Sequence, residues 1–230
     1  MLYAFVKLLL IGVLRVVFRF RALGAENVPR EGAVLLAANH ASMLDPPVVG
    51  AGAPRPLHFM AKAELFRIPL FGGLIRRLNA HPVERDGADA GALREALGLL
   101  RAGKALLVFP EGTRGTEGTL RPGRPGTGML AALSEAPVVP VYIQGSGRAL
   151  PRGATCPRRA RITVAYGPPL RFGHARGREH YQRITEEIMA ALRRLKAEVD
   201  GTAVPEAVRP AWVSHTDRTG CGPLPVGRIH

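Results

Sequence analysis

Within Asn39-His40-Ala41-Ser42-Met43-Leu44-Asp45 an imidazole stands five residues ahead of a carboxylate. On one α-helix such a pair would point about 140° apart, so the two meet only across a bend. The apolar run at residues 33–38 predicts a buried strand that stops at Asn39, and Asp45-Pro46-Pro47 predicts a helix start. His40 then falls on a strand-to-helix loop. There Asp45 can turn back and accept a hydrogen bond from one ring nitrogen, leaving the other free to take up a proton. The same residues also fit a purely structural role, with Asp45 as helix cap and Ser42-x-x-Asp45 as a capping box. The two roles do not exclude each other.

Further polar groups sit where later strands end. Lys62 and Glu64 follow the second expected strand, Arg85 closes the third, and Glu111 with Arg114 follows the fourth in Pro110-Glu111-Gly112-Thr113-Arg114. Taken singly, each cation fits a solvated surface charge. Taken together they could converge on one phosphate, which guanidinium groups bind with paired, charge-assisted hydrogen bonds. Gly112 lets backbone approach a ligand closely.

The elements that must position these groups alternate along the chain. Strands are expected at residues 34–38, 57–60, 80–84, 105–109 and 138–144, and an alternating strand of the edge type at 161–166. Helices are expected at 45–50, 88–102, 128–134 and 179–198; Leu93, Leu97 and Leu100 line one face of the second, and Ile184, Ile188, Leu192 and Leu195 stripe the last. Residues 112–126 form a long Gly-, Arg- and Pro-rich loop of the kind that is usually functional or disordered. The pattern predicts one α/β domain over residues 25–200 with a mixed, largely parallel sheet flanked by helices, its polar loops gathered at strand ends.

The 230 residues suffice for one well-cored domain with terminal appendages. Residues 1–24 are apolar but carry Lys7, Arg15, Arg19 and Arg21, and their longest uncharged stretch, 8–14, is far below the roughly 20 residues of a spanning helix. That composition predicts a helix lying in a membrane interface, its cations reaching anionic headgroups, with a core-covering helix as the plain alternative. Residues 201–230 lack periodicity and are expected to form a flexible tail. An excess of 32 Lys and Arg over 18 Asp and Glu, net +14, favours anionic partners. No basic run interleaved with aromatics, zinc-finger spacing or RNA-recognition signature is present, so nucleic acid is not an expected partner. Cys156 and Cys221 stand alone without ligand spacing, so no metal site is expected and a reduced, cytosol-facing setting is the simplest reading.

At this point the chain resembles the glycerolipid acyltransferase family typified by 1-acylglycerol-3-phosphate acyltransferases. Asn39-His40-x-x-x-x-Asp45 matches the first block of that family, Val83-Glu84-Arg85 the end of the second, and Phe109-Pro110-Glu111-Gly112-Thr113-Arg114 the third. Val138-Val139-Pro140-Val141-x-Ile143-x-Gly145 matches the fourth. Lys62-x-Glu64-Leu65 with Pro69 and Gly72 is similar to its link between the first two blocks, and Arg124-x-Gly126 to its basic-x-Gly step. The resemblance spans about residues 25–198; Asn79 and Gly115 depart from it where Gly and Ser are common.

The resemblance implies transfer of a fatty acyl group from a thioester, acyl-CoA or acyl-carrier protein, to the free hydroxyl of a lysophospholipid, with lysophosphatidic acid giving phosphatidic acid. It implies His40 and Asp45 as the catalytic pair and no cofactor beyond the thioester co-substrate. It associates Lys62, Arg85 and Arg114 with the phosphate of the acceptor and Glu111, Gly112 and Thr113 with the pocket around it. The expected setting is peripheral, on the cytosolic face of the cell membrane. Two alternatives stay open: another lysolipid acceptor, such as a lyso-ornithine lipid, or a non-catalytic protein that docks on membranes. Ser42 beside His40 lacks the G-x-S-x-G elbow of a serine hydrolase. Gly126-x-Gly128-x-x-Ala131 follows a Pro-rich loop instead of a strand, which sets a dinucleotide site aside.

Overall fold

The computed structural model describes residues 2–83 and 90–201. The chain opens with α1 (Leu2–Phe18) and β1 (Arg21–Leu23), then runs through β2 (Val34–Ala38), α2 (Asp45–Gly52), β3 (His58–Lys62), α3 (Phe71–Arg77) and β4 (Ala80–Val83). It continues with α4 (Ala90–Arg101), β5 (Ala105–Val108), α5 (Pro125–Ser134), β6 (Val138–Gln144), α6 (Ser146–Ala149), β7 (Thr163–Tyr166) and α7 (Arg178–Asp200). The described strands form one seven-stranded sheet in the order β1-β7-β6-β2-β5-β3-β4. Only β6 and β7 pair antiparallel. This is the mixed, mostly parallel α/β sheet that the alternation predicted.

Parallel central strands are covered on both faces, which is why β2 and β6 read as continuous apolar runs and are buried almost throughout. Side chains alternate between two cores. Leu36, Ala38, Leu107, Val139 and Val141 meet α2 through Val48 and Val49, and α1 through Leu14 and Phe18. On the other face Leu35, Ala37, Leu106 and Val138 meet Leu97 and Leu100 of α4, Leu130 of α5 and Ile188 of α7. The leucine and isoleucine stripes of the sequence are these contacts.

Right-handed crossovers fix which helix covers which face. The β2-to-β3 and β3-to-β4 connections step the same way along the sheet, and the β4-to-β5 connection steps back. Accordingly α2 and α3 belong to one face and α4 to the other. α1 crosses the α2 face, with the Tyr3 hydroxyl accepting a hydrogen bond from Leu57 N–H and the Lys7 ammonium donating to Ala53 O.

Three expectations change. β7 is an interior strand, buried at all four positions, because residues 21–23 pair alongside it, Arg21 opposite Thr163. The N-terminal segment is thus helical only to Phe18, and its last residues join the sheet. The loop expected over residues 112–126 gives way to α5 at Pro125, a residue suited to a first helical turn. Arg85 and Glu84 lie outside the described residues, as does the tail expected after Gly201.

Candidate active site

The parallel strands β2, β5, β3, β4 and β6 end at one edge of the sheet, so the loops that follow them share that edge. His40 lies two residues past β2. Its Nδ1 is 2.7 Å from Asp45 Oδ2, and the same oxygen accepts the backbone N–H groups of Ala41 at 2.7 Å and Ser42 at 2.8 Å. The loop winds around a carboxylate that has no exposed surface. With both N–H groups aimed at Oδ2, the ring nitrogen facing it is the protonated one, and Nε2 carries the lone pair. The Phe109 ring stacks on the imidazole at 3.9 Å and 16°, which holds its plane.

The capping reading is not met: Leu44, not Asp45, is the N-cap of α2 and makes no side-chain cap, with Asp45 the first residue of the helix. Asp45 reaches back to Ser42 N–H as a capping box requires, but the Ser42 hydroxyl accepts from Leu44 N–H at 3.2 Å and donates to Leu150 O at 2.9 Å. A fully buried hydroxyl so engaged is no nucleophile.

Glu111 is buried and splits its carboxylate between two backbones: His40 N–H donates to Oε1 and Arg121 N–H to Oε2, both at 3.1 Å. Burial pushes its pKa up, and the two N–H groups and neighbouring cations work against that rise. The residue therefore braces the His40 loop against the long loop after β5. Gly115 N–H donates to His40 O at 2.7 Å and adds a second brace. Gly112 has φ +71°, a backbone conformation that calls for glycine, and the Arg124 side chain packs against its bare Cα. Thr113 and Arg114 are half-buried beyond it.

Arg114 lines a crevice of about 460 Å³ together with Ala41, Glu117, Arg121, Gly147 and Arg152. Three arginines against one glutamate give its lining a net positive charge beside the His40 loop. Glu117 fastens the crevice: its carboxylate accepts Gly145 N–H at 2.5 Å and Gly147 N–H at 2.7 Å, tying the long loop to the turn after β6. Lys62, which was expected to join Arg114, is exposed at the end of β3, two strands from β2, and does not line this crevice.

Sequence reasoning missed four residues. Arg121 lies in the loop whose length had marked it as functional. Arg152 follows α6, which carried no signal. Glu117 looked like one more loop charge. Asn39 clamps the site to its neighbouring strand, with its amide donating to Ile143 O at 3.0 Å and accepting Ile143 N–H at 2.7 Å. That pair ties the first motif block to the fourth in this fold.

The chain shares 28% identity with the 1-acyl-sn-glycerol-3-phosphate acyltransferase of Bacillus subtilis (strain 168), over 76% of this chain and 87% of that one. A chloroplastic 1-acyl-sn-glycerol-3-phosphate acyltransferase of Brassica napus is 30% identical over 57% of this chain and 39% of its own, so the chain spans less than half of that longer relative. Among solved structures, the 1-acyl-sn-glycerophosphate acyltransferase PlsC from Thermotoga maritima superposes with a TM-score of 0.69 at 27% identity, covering 88% of this chain and 83% of that one. The Acyltransferase family model matches residues 19–144, from β1 through β6, and so takes in the imidazole, its buried acid and Arg114 of the crevice. With more than half of its length inside that match, the chain belongs to the Acyltransferase family, and it is an acyltransferase.

Proposed function

We propose that the enzyme transfers a fatty acyl group from an acyl thioester, acyl-CoA or acyl-carrier protein, to the free hydroxyl of 1-acylglycerol 3-phosphate, giving phosphatidic acid. The observation that carries this reading is a histidine held by a buried aspartate next to a crevice with three arginines. The names of the Bacillus and Thermotoga relatives support the choice of acceptor.

His40 Nε2 takes the hydroxyl proton as the oxygen attacks the thioester carbon, because a glycerol hydroxyl is too weak an acid for imidazole to ionise outright. A carbon–oxygen bond forms, the tetrahedral centre collapses, the carbon–sulfur bond breaks, and the departing thiolate recovers the proton from the imidazolium. Asp45 fixes the tautomer beforehand and stabilises the imidazolium in between. General-base help of this kind is worth about 10² to 10⁴-fold. Arg114, with Arg121 and Arg152, holds the acceptor phosphate and thereby places the hydroxyl. Gly112 and Thr113 shape the turn, and Glu111 keeps His40 and that turn in register. Lys62, at the end of β3, and Arg85 add positive charge that favours the phosphate, as the family resemblance implies.

The protein works at the cytosolic face of the cell membrane as a peripheral enzyme. Among the described residues no helix is long and apolar enough to cross a membrane. α1 buries Leu14 and Phe18 but leaves Phe5, Leu8, Leu9 and Val16 exposed, with Arg15 and Arg19 beside them. A helix so divided packs on the domain with one side and enters the headgroup boundary with the other. Deleting residues 2–18 should lower association with anionic liposomes, and unchanged association would retire this role. An assay that crosses several lysolipids with CoA and carrier-protein donors tests the reaction itself. Preference for 1-acylglycerol 3-phosphate is the expected result; faster acylation of an acceptor without phosphate would overturn the choice.

A further inference from the structure

The segment between β3 and β4 carries apolar side chains that none of the described residues covers. After β3 a 3-10 turn, Ala63–Arg67, leads through Ile68-Pro69-Leu70 into α3. Ile68, Leu70, Phe71 and Leu74 are all exposed, Leu70 to 94%. Leu70 also has φ +62° and ψ −47°, the strained centre of a three-residue turn closed by Phe71 N–H on Pro69 O, so the chain holds a large apolar side chain outward at a cost. The segment is nonetheless built firmly. A Cβ on Gly72 would stand 2.3 Å from Phe66 O, so the turn and α3 are pressed together, and the Arg76 guanidinium lies 4.9 Å above the Phe66 ring. Arg67, Arg76 and Arg77, all exposed, flank the apolar tip.

The position of this tip matters as much as its composition. The crossover rule puts α3 on the α2 face of the sheet, and α1 lies across that same face with Phe5, Leu8, Leu9 and Val16 outward. Two apolar surfaces edged with arginine therefore look out from one side of the molecule, while the His40 crevice opens at the adjoining strand ends.

We propose that the Ile68–Leu74 tip is a second membrane-docking surface, which inserts into the headgroup region of an anionic lipid leaflet alongside α1. The three arginines complement lipid headgroups, each such cation being favourable near an anionic surface. The apolar residues supply contact that aqueous exposure wastes. Two attachments on one face fix the orientation of the domain where one helix would leave it free to pivot. The strand ends, with His40 and Arg114, are then held at the bilayer surface from which a lysophospholipid hydroxyl must be presented. This rests on the reading of a lipid acceptor only for its purpose, because the test reads docking without turnover.

The full chain carries a single tryptophan, Trp212. In a Trp212→Phe background, Leu70→Trp reports on the tip directly. Vesicles of phosphatidylglycerol and phosphatidylcholine should shift its emission to the blue, and bromine-labelled acyl chains should quench it. A paired Leu70→Ser, Phe71→Ser variant, with its circular dichroism checked against wild type, should bind these vesicles about tenfold more weakly. Emission that stays unshifted while the protein co-sediments with vesicles would overturn the proposal, because α1 alone would then be doing the docking. Absence of any vesicle binding would overturn it equally. Neither outcome depends on whether the chain acylates 1-acylglycerol 3-phosphate.

Discussion

The two halves of the site are built by opposite means. Around His40 the polar groups are buried and held by backbone: Asp45 Oδ2 takes three hydrogen bonds, Asn39 two, and Glu111 one at each oxygen. In the crevice Arg121 and Arg152 are exposed, and the loop that bears Arg114 is tied down by Glu117, Glu111 and Gly115 N–H while these two guanidinium-bearing side chains are left to solvent. A proton transfer fails when its donor and acceptor drift by a fraction of an ångström, so that half is rigid. Holding a phosphate tolerates adjustment, because several cations in solvent share one charge. The comparison predicts that substitutions near His40 act on turnover and folding, and substitutions in the crevice act on acceptor affinity.

The sharpest way to break this comparison is Asp45→Asn. An amide oxygen in the place of Oδ2 can keep all three hydrogen bonds while the charge that steadies an imidazolium is removed, and the amide nitrogen takes the buried Oδ1 position, which has no partner among the described residues. Turnover should fall about 10²-fold with little change in the KM of the acceptor, checked by steady-state kinetics. A large rise in KM instead would place Asp45 in binding. Arg121→Ala and Arg152→Ala should each raise the KM of the acceptor several-fold and leave kcat nearly intact, the loss shrinking as ionic strength rises. A drop in kcat would merge the two halves.

Asn39→Ala leaves both backbone groups of Ile143 buried without their partner and should lower stability by about 2–4 kcal/mol, read from denaturant unfolding. A change near zero would mean the clamp is dispensable. The smallest effect lies outside both halves. His58 Nδ1 is 2.9 Å from His81 Nε2, and His81 Nδ1 is 2.6 Å from Glu95 Oε1. Burial, then the charges of His81, Lys104 and Arg55, pull the His58 pKa down to about 4. The fold thus favours neutral His58. Its contribution is complete above the ordinary value near 6.5 and is lost as pH falls toward 4. Unfolding midpoints should decline between pH 6.5 and 4, and His58→Asn should flatten that decline. A parallel decline in the variant would assign it to other groups.

Much of this was readable beforehand because local pattern and global fold agree. The run at residues 138–144 became β6 without a shift, the α4 and α7 stripes became core contacts, and the five-residue gap from His40 to Asp45 required the bend that is present. What was not readable depends on pairing across distance. Residues 21–23 are too short to announce a strand and gain one only from β7, which in turn stops being an edge. Arg152 reaches the crevice because of the turn after β6, and no spacing rule links it to Arg114. Lys62 shows the converse: a strand-end position fixes which edge a residue occupies but not which crevice it lines.

The account stands most directly on a paired kinetic measurement. Phosphatidic acid formation is followed across a range of 1-acylglycerol 3-phosphate concentrations, using His40→Ala and Arg114→Ala with the preferred thioester donor. His40→Ala should lose about 10² to 10⁴-fold in kcat at nearly constant KM, and Arg114→Ala should gain about tenfold in KM at nearly constant kcat. Undiminished turnover by His40→Ala, or the two patterns exchanged, would contradict the assignment of proton transfer to the imidazole and anchoring to the guanidinium.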